Sequence, residues 1–409
     1  MRVNLHPQFG ESPAAQEAAD ITQSCVHCGF CNATCPTYQD SFDERDGPRG
    51  RIYLIKHMLE TGRAGTAART HLDRCLTCRA CETTCPSGVN YGRLADIGRE
   101  MVDNIADRSI VQRLVRSALS WTFPFPQRVR VILWLGRLFS PVLPQALRRN
   151  IPPVQTELIE PKKSPVLIRR MIVLGGCVQA VATPNTNTVA RRVLRRLGID
   201  LVEAKSAGCC GAVSYHLGAQ DAGLDFMRRN IDAWWPIIEE GAEAIVTTAS
   251  GCGVIVKDYG QLLKDDPIYS EKARRISGLT RDISEILDHE DLSKLKDVTA
   301  THRTAVHCPC TLTHGQNLDG CVERILEKAG IPLAKVSEGH LCCGSAGTYS
   351  LLQPEISQRL RQRKLDALLV DEPQQIVTSN VGCQLHLGAI SDVPVRHWIE
   401  LLDSSHQSK

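Results

Sequence analysis

The sequence predicts an α+β multidomain chain: a helical N-terminal module followed by a duplicated α/β cysteine-rich unit. Three observations predict it. Cys25, Cys28, Cys31 and Cys35 recur as Cys75, Cys78, Cys81 and Cys85, each 50 positions further on. Cys177, Cys209, Cys210 and Cys252 recur as Cys308, Cys342, Cys343 and Cys383, at offsets of 131 to 133. Around the second set, short apolar runs alternate with helical stretches, the pattern of parallel-sheet units.

The chain has 409 residues, enough for two or three domains at about 150 residues each. Expected divisions are a helical module at 1–105, an arginine-rich linker at 106–165, a first repeat at 166–295 and a second at 296–409. Charged residues at 23% and hydrophobic residues at 43% exclude disorder and coiled coil. A net charge of +3 leaves no global basic field, so nucleic acid is not an expected partner. The 18 cysteines, with no apolar leader before them, point to metal centres in a reducing compartment rather than disulfides. No uncharged apolar run reaches the roughly 18–20 residues of a spanning helix.

Both N-terminal blocks read C-x2-C-x2-C-x3-C and are followed by Pro36 and Pro86. This is the bacterial [4Fe–4S] ferredoxin run, whose fourth cysteine ligates the other cluster in two-cluster proteins. Three thiolates two residues apart wrap one face of a cubane, and the last ligand arrives from a distant segment. The expected sets are Cys25, Cys28, Cys31 and Cys85 for one cluster, and Cys75, Cys78, Cys81 and Cys35 for the other. Zinc sites use ligand pairs with a long gap, not such triads. Between the blocks, Ile52, Ile55, Met58 and Leu59 form a helical stripe over 47–62, with Asp46 as its expected cap. An insert of that kind implies an α-helical ferredoxin module. His27, beside a ligand, is expected to pack or to hydrogen-bond a cluster sulfur.

From Arg108 to Thr156 there are eight arginines and no acidic residue, with Trp121, Phe123, Phe125, Trp134 and Phe139 among them. Val129–Phe139 reads as a basic amphipathic helix, suited to a membrane interface or to bracing against a partner or the neighbouring domains.

In the first repeat, strands are expected at Met171–Leu174, Ile199–Glu203 and Ala244–Thr248. In the second they are expected at Ala305–His307, Ile331–Val336 and Gln375–Thr378. Cys177, Cys252, Cys308 and Cys383 then fall just past strand ends, where open α/β sheets bind ligands. Each foursome could hold an iron–sulfur cluster, hold zinc or act as redox thiols. Cys321 is expected in the core, on the apolar face of a helix, and Cys310 is undecided. His216, His307, His314, His340 and His386 read as loop histidines. No dinucleotide or phosphate-loop motif occurs, and no nucleophile has a partner base, so no catalytic residue is expected. The chain reads as an electron carrier whose substrate chemistry lies elsewhere.

CVHCGFCNATCPTY at Cys25–Tyr38, DGPRGRIYLIK at Asp46–Lys56, HLDRCLTCRACETTCPSGV at His71–Val89 and NIDAWW at Asn230–Trp235 resemble the iron–sulfur subunits of bacterial glycolate oxidases. More distantly, the chain is similar to cysteine-rich (CCG) subunits of anaerobic glycerol-3-phosphate dehydrogenase, lactate-utilisation proteins and heterodisulfide reductase. The resemblance implies two flavin-type partner subunits that carry FAD and oxidise glycolate to glyoxylate, with D-lactate as a second substrate. Electrons would pass through two [4Fe–4S] clusters here toward a membrane quinone or another acceptor, on the cytoplasmic face of the inner membrane. Alternatives are the iron–sulfur subunit of another 2-hydroxy-acid or glycerol-3-phosphate dehydrogenase, a thiol–disulfide reductase, or a zinc-bearing scaffold. Heterodisulfide reductase relatives end each repeat in C-x-x-C, whereas here Ile255 and His386 hold the last position.

Overall fold

A computed structural model describes residues 1–156, 158, 169–295 and 302–403. The expected linker end at 165 and second-repeat start at 296 lie outside the described residues. The chain forms two compact units. One comprises Met1–Ser117 with His340–Lys364, the other Ala118–Gly339 with the chain from Leu365 onward.

The first unit is helical. Helices Pro13–Gln23, Pro48–Thr61, Thr66–Asp73 and Tyr91–Ile105 enclose a core of Ile55, Met58, Leu59, Leu72, Leu94 and Ile97. The Pro48–Thr61 helix matches the expected insert, with Gly62 in the left-handed region closing it. Its cap differs from expectation. Gly47 is the N-cap and makes no side-chain bond. Asp46 is buried and engaged elsewhere, accepting from His71 Nδ1 at 2.7 Å and Arg74 Nη1 at 2.9 Å. Gly50 is required here, because a Cβ would run into the Glu44 carbonyl.

Two linker helices follow, Ile110–Thr122 and Pro126–Leu138. The second matches the expected amphipathic helix; the first was not foreseen.

The second unit holds both sheets. Strands β1 (Arg169–Val173), β2 (Ile199–Glu203), β3 (Ile245–Thr247) and β4 (Thr280–Asp282) form a parallel sheet in the order β2-β1-β3-β4. Strands β5 (Thr304–His307), β6 (Gln375–Thr378) and β7 (Val395–His397) form a second, in the order β5-β6-β7. A parallel bridge between Thr304 and Leu333 stands where the counterpart of β2 belongs, so the two copies share one topology. The expected strand Ile331–Val336 shrinks to that bridge because Pro332 has no N–H to extend a ladder. Strands β4 and β7 were not foreseen.

Met171, Val173 and Val246 face a core shared with Val306, Ile325, Val377 and Trp398 of the second copy. Ile172, Leu174 and Ile245 face the opposite way, onto Met227, Ile231 and Trp234. Burial on both faces is why these strands read as unbroken apolar runs rather than alternating ones. Cys321 lies in the shared core, as expected.

Candidate iron–sulfur centres

The two N-terminal blocks fold alike. Cys25 N–H donates to Thr22 O and Cys75 N–H to Leu72 O, each at 3.2 Å, so each loop leaves its helix in the same way. His27 and Gly29 are in the left-handed region, and so are Thr77 and Arg79, 50 positions later. Short helices Phe30–Ala33 and Ala80–Thr84 follow, and the fourth cysteine of each block leaves in extended conformation before its proline. Left-handed residues in so short a loop turn successive thiols toward one side. The blocks meet through equivalent residues: Thr84 Oγ1 donates to Thr34 Oγ1 at 3.2 Å, and Thr34 Oγ1 lies 3.2 Å from the Ala80 carbonyl.

Two concavities result. One, of about 420 Å³ with its open mouth, is lined by Cys25, Cys28, Cys31 and Cys85. The other, of about 300 Å³, is lined by Cys35, Cys75 and Cys78. Cys81 borders both. Each concavity thus gathers the first cysteines of one block and the fourth of the other. Four convergent thiols in a largely apolar hollow are the donor set a [4Fe–4S] cubane requires.

The surroundings differ. Cys28 is exposed, between the exposed apolar side chains of Val26 and Phe30. Burial pushes the Cys31 thiol up to about 11 against the nearby Arg49. At the second concavity, burial also raises Cys75, but the Arg51 and Arg99 guanidiniums outweigh it and hold this thiol below its ordinary value. Arg51 is only 1% exposed; its Nε donates to His71 O at 2.7 Å and its Nη2 to Thr37 Oγ1 at 3.0 Å. Tyr91 Oη donates to Cys75 Sγ at 3.7 Å. His27 is exposed at the rim of the first concavity, with its ring against Met1 Sδ.

In the first repeat the structure brings all four cysteines together. Cys177 follows β1, Cys209 and Cys210 lie beyond β2, and Cys252 sits in the first turn of the helix Ser250–Lys257 after β3. The four thiols lie close enough to perturb one another: Cys177 and Cys209, Cys209 and Cys210, and Cys210 and Cys252. These contacts, together with burial, push Cys177, Cys209 and Cys210 well above the ordinary thiol range. Gly211 must be glycine, because it is left-handed and a Cβ would approach Gly223 O to 2.6 Å.

A clamp on this turn escaped the sequence reading. Asn230 Nδ2 donates to Cys209 O and Tyr259 Oη to Cys210 O, both at 2.8 Å. Asn230 Oδ1 also accepts from Gly208 N–H at 2.9 Å, and Trp234 stacks on Tyr259. Asn230 and Trp234 belong to the NIDAWW stretch, which was the one available signal.

In the second repeat, Cys308 follows β5 and accepts from Thr313 Oγ1 at 3.0 Å. Cys383 lies in the helix Val381–Gly388 after β6 and accepts from Asn380 Nδ2 at 3.4 Å. Cys342 and Cys343 fall in the first unit, where Gly344 repeats the left-handed glycine and its N–H donates to Cys342 Sγ at 3.4 Å. Cys310 is half-buried. Ile255 is buried in the core, and neither it nor His386 can supply the fifth thiolate found in the C-x-x-C relatives.

A family model described as a 4Fe-4S dicluster domain matches residues 21–89. One described as a cysteine-rich domain matches twice, at 172–257 and 304–388. Among curated proteins, the chain is 49% identical to the glycolate oxidase iron-sulfur subunit of Escherichia coli K12, over 99% of each chain. It is 30% identical to the probable glycolate oxidase iron-sulfur subunit of Bacillus subtilis 168, over 89% of this chain and 88% of that one. Lactate utilization protein A of Bacillus cereus G9842 is 25% identical over 56% of this chain and 96% of its own length. With both cysteine frameworks, the helical module and the doubled parallel sheet in agreement, the chain belongs to the family of glycolate oxidase iron–sulfur subunits.

Proposed function

We propose that this chain is the electron-transfer subunit of a glycolate oxidase complex, which oxidises glycolate to glyoxylate and accepts D-lactate as a second 2-hydroxy acid. The observation that carries the reading is the pair of four-cysteine concavities, one from each crossed set, in a chain of this family. Cys25, Cys28, Cys31 and Cys85 hold one [4Fe–4S] cluster, and Cys75, Cys78, Cys81 and Cys35 the other. Bound there, the clusters relay single electrons and do no chemistry on carbon. The oxidation of the 2-hydroxy acid therefore belongs to flavin-type subunits carrying FAD. Their docking face is the edge at which Cys28 is exposed between Val26 and Phe30, a wet site with apolar flanks.

The acceptor is a membrane quinone, with the chain peripheral on the cytoplasmic face of the inner membrane. Among the described residues no helix is long and apolar enough to cross a membrane. The helix Pro126–Leu138 instead leaves Val131, Ile132, Trp134, Leu135 and Leu138 exposed, the outer face an interfacial helix needs. Not all of the linker's arginines serve that face. Arg108 and Arg116 both reach Asp73, at 2.6 and 2.9 Å, and Arg137 Nη2 donates to Pro152 O.

The domain divisions follow the same reading, with the ferredoxin module ending near 105 and each cysteine foursome in its own repeat. Cys177, Cys209, Cys210 and Cys252, and separately Cys308, Cys342, Cys343 and Cys383, form further sites for an iron–sulfur cluster or zinc. Deleting the chain from a glycolate-grown strain tests the function: glycolate-dependent respiration of its membranes stops. Respiration at the undeleted rate would refute the reading.

A further inference from the structure

The two crossed cysteine sets resemble each other in backbone and differ in charge. Adding one electron to a four-cysteinate [4Fe–4S] centre adds one negative charge, with no bond formed or broken. A potential therefore rises with nearby positive charge and with hydrogen bonds to sulfur. At the second set the positive charge is built into the interior. Arg51 lines that concavity, is buried, and places Nη1 4.0 Å from Cys35 Sγ. Arg99 supports the same loop from the other side, with Nη1 donating to Thr77 Oγ1 at 2.9 Å and Nη2 to the Cys75 carbonyl. Tyr91 donates to Cys75 Sγ.

Two carboxylates oppose these cations. Asp46 lies 3.7 Å from Arg51, but it also pairs with Arg74 at 2.9 Å, and Asp96 lies 3.9 Å from Arg99. Arg79 also lines the concavity, with Glu82 beside it, so four guanidiniums face three carboxylates. At the first set the lining cation is Arg49, which is partly exposed and paired with Glu44 at 2.6 Å. Water screens a charge there, whereas Arg51 acts through protein interior.

The geometry points to unequal clusters: we infer that Arg51 makes the centre held by Cys35, Cys75, Cys78 and Cys81 the higher-potential one, so that electrons entering at the first set settle at the second. This inference rests on the ligand sets given under the proposed function. The position of the second set suits an exit. Tyr349 Oη donates at 3.1 Å to the carbonyl of Arg74, the residue before Cys75. Tyr349 itself lies six positions after Cys343 in the same compact unit, so the cysteine pair of the second repeat is the next thiol group along the chain from this contact.

The test is a redox titration of the anaerobically prepared complex, followed by electron paramagnetic resonance. The helical module gives two one-electron waves, told apart from any wave of the repeats because Cys28→Ser alters one of them and Cys78→Ser the other. Cys28→Ser, at a ligand of the first set, alters the spectrum of the lower wave and spares the higher. Arg51→Gln moves only the higher wave down, by tenfold or more in its reduction equilibrium, which is about 59 mV for one electron. Arg51→Lys keeps the charge and restores most of the shift. A higher wave unmoved in iron-replete Arg51→Gln would overturn the inference, as would a Cys28→Ser change confined to the higher wave. Where Arg51→Gln fails to retain iron, the Cys28→Ser titration decides the order by itself. Fewer than two cluster signals in the unsubstituted chain would overturn the ligand sets, and the inference with them; two signals in reversed order would overturn the inference alone.

Discussion

Removing Cys25 and Cys85 together should cost no more iron than removing either one, although they lie in different sequence blocks. The concavity they share is lined by Cys25, Cys28, Cys31 and Cys85, and Cys35 lines the other. Cys25→Ala and Cys85→Ala therefore each cost one cluster, about four irons of about eight in the module. The double variant loses the same cluster once, so about four irons remain there. Cys75→Ala with Cys85→Ala, two changes within one block, removes one ligand from each set and about eight irons. Any metal in the repeats adds a constant to all of these values and leaves the differences intact. The assay is iron per chain after anaerobic purification, with circular dichroism to confirm that the helices remain. If each block ligated its own cluster, the two double variants would exchange results, and that exchange would refute the crossed assignment.

Two further predictions concern pH and the membrane. His397 is buried and neutral, with Nε2 against Thr248 O at 2.7 Å and Nδ1 accepting from Ile399 N–H; burial lowers its pKa to about 4. Its contribution is complete above the unfolded value near 6.5 and falls away as pH drops toward 4, by about 3 kcal/mol. Asp282 has the opposite sign: burial raises it to about 6, so its contribution is complete below 3.8 and is lost as pH rises through 6, again by about 3 kcal/mol. The two largely cancel between pH 4 and 6. Asp282→Asn keeps a good cap and should expose the His397 slope, read as a fall in hydrogen-exchange protection of β3 and β7 below pH 6; a profile parallel to the parent's would sink this account. Finally, the full chain should bind anionic vesicles at low salt and release them at high salt. Trp134→Glu, at a side chain 59% exposed, should weaken that binding at least tenfold in a flotation assay; equal binding by the variant would remove the helix Pro126–Leu138 from the membrane-facing surface.

Much of this was readable from residue spacing, and the failures have physical causes. The cysteine offsets foretold both duplications, and β2 and β6 were bounded to the residue: β2 alternates buried Ile199 and Leu201 with half-buried Asp200 and Val202, and β6 is buried on both faces around Ile376 and Val377. Strands β4 and β7 carry Thr-Arg-Asp and Val-Arg-His over three residues each, too short and too polar to show a period. Ile331–Val336 has the composition of a strand, but a single proline stops the ladder. Asp46 sits where a cap belongs, yet its carboxylate is claimed by His71, 25 positions away, a contact no local pattern reports. The apolar stripe of the helix Ile110–Thr122 is a different failure. Ile110, Val111, Leu114, Val115 and Trp121 are exposed, so its periodicity marks a face left open among the described residues rather than a core. Nothing in its helical stretch marks Arg51 out, and only the folded chain shows it buried beside two cysteines.

The two duplications have been put to different uses. In the N-terminal module each concavity is lined by cysteines of both blocks, and the blocks meet at Thr34 and Thr84, so neither concavity can close without both. That arrangement puts the two concavities side by side, with Cys81 on the rim of both, which suits a relay of single electrons. In the first C-terminal repeat all four cysteines come from one copy, and a clamp of Asn230 and Tyr259 holds the central pair. Self-containment frees the copies to diverge. Asp282 and His397 show how far: each ends an edge strand, each is buried, and each caps the following turn, through Ser284 N–H and Ile399 N–H. The two strand ends share one backbone role with different side chains, a carboxylic acid in one copy and an imidazole in the other. At the positions where C-x-x-C would place a further thiolate, this chain has Ile255, buried in the core of one copy, and the imidazole of His386 in the other. A reductase acting on disulfides through a five-cysteine centre is therefore the alternative that the chain's own residues argue against. A relay from a 2-hydroxy-acid oxidation needs only the eight thiols that the helical module brings together.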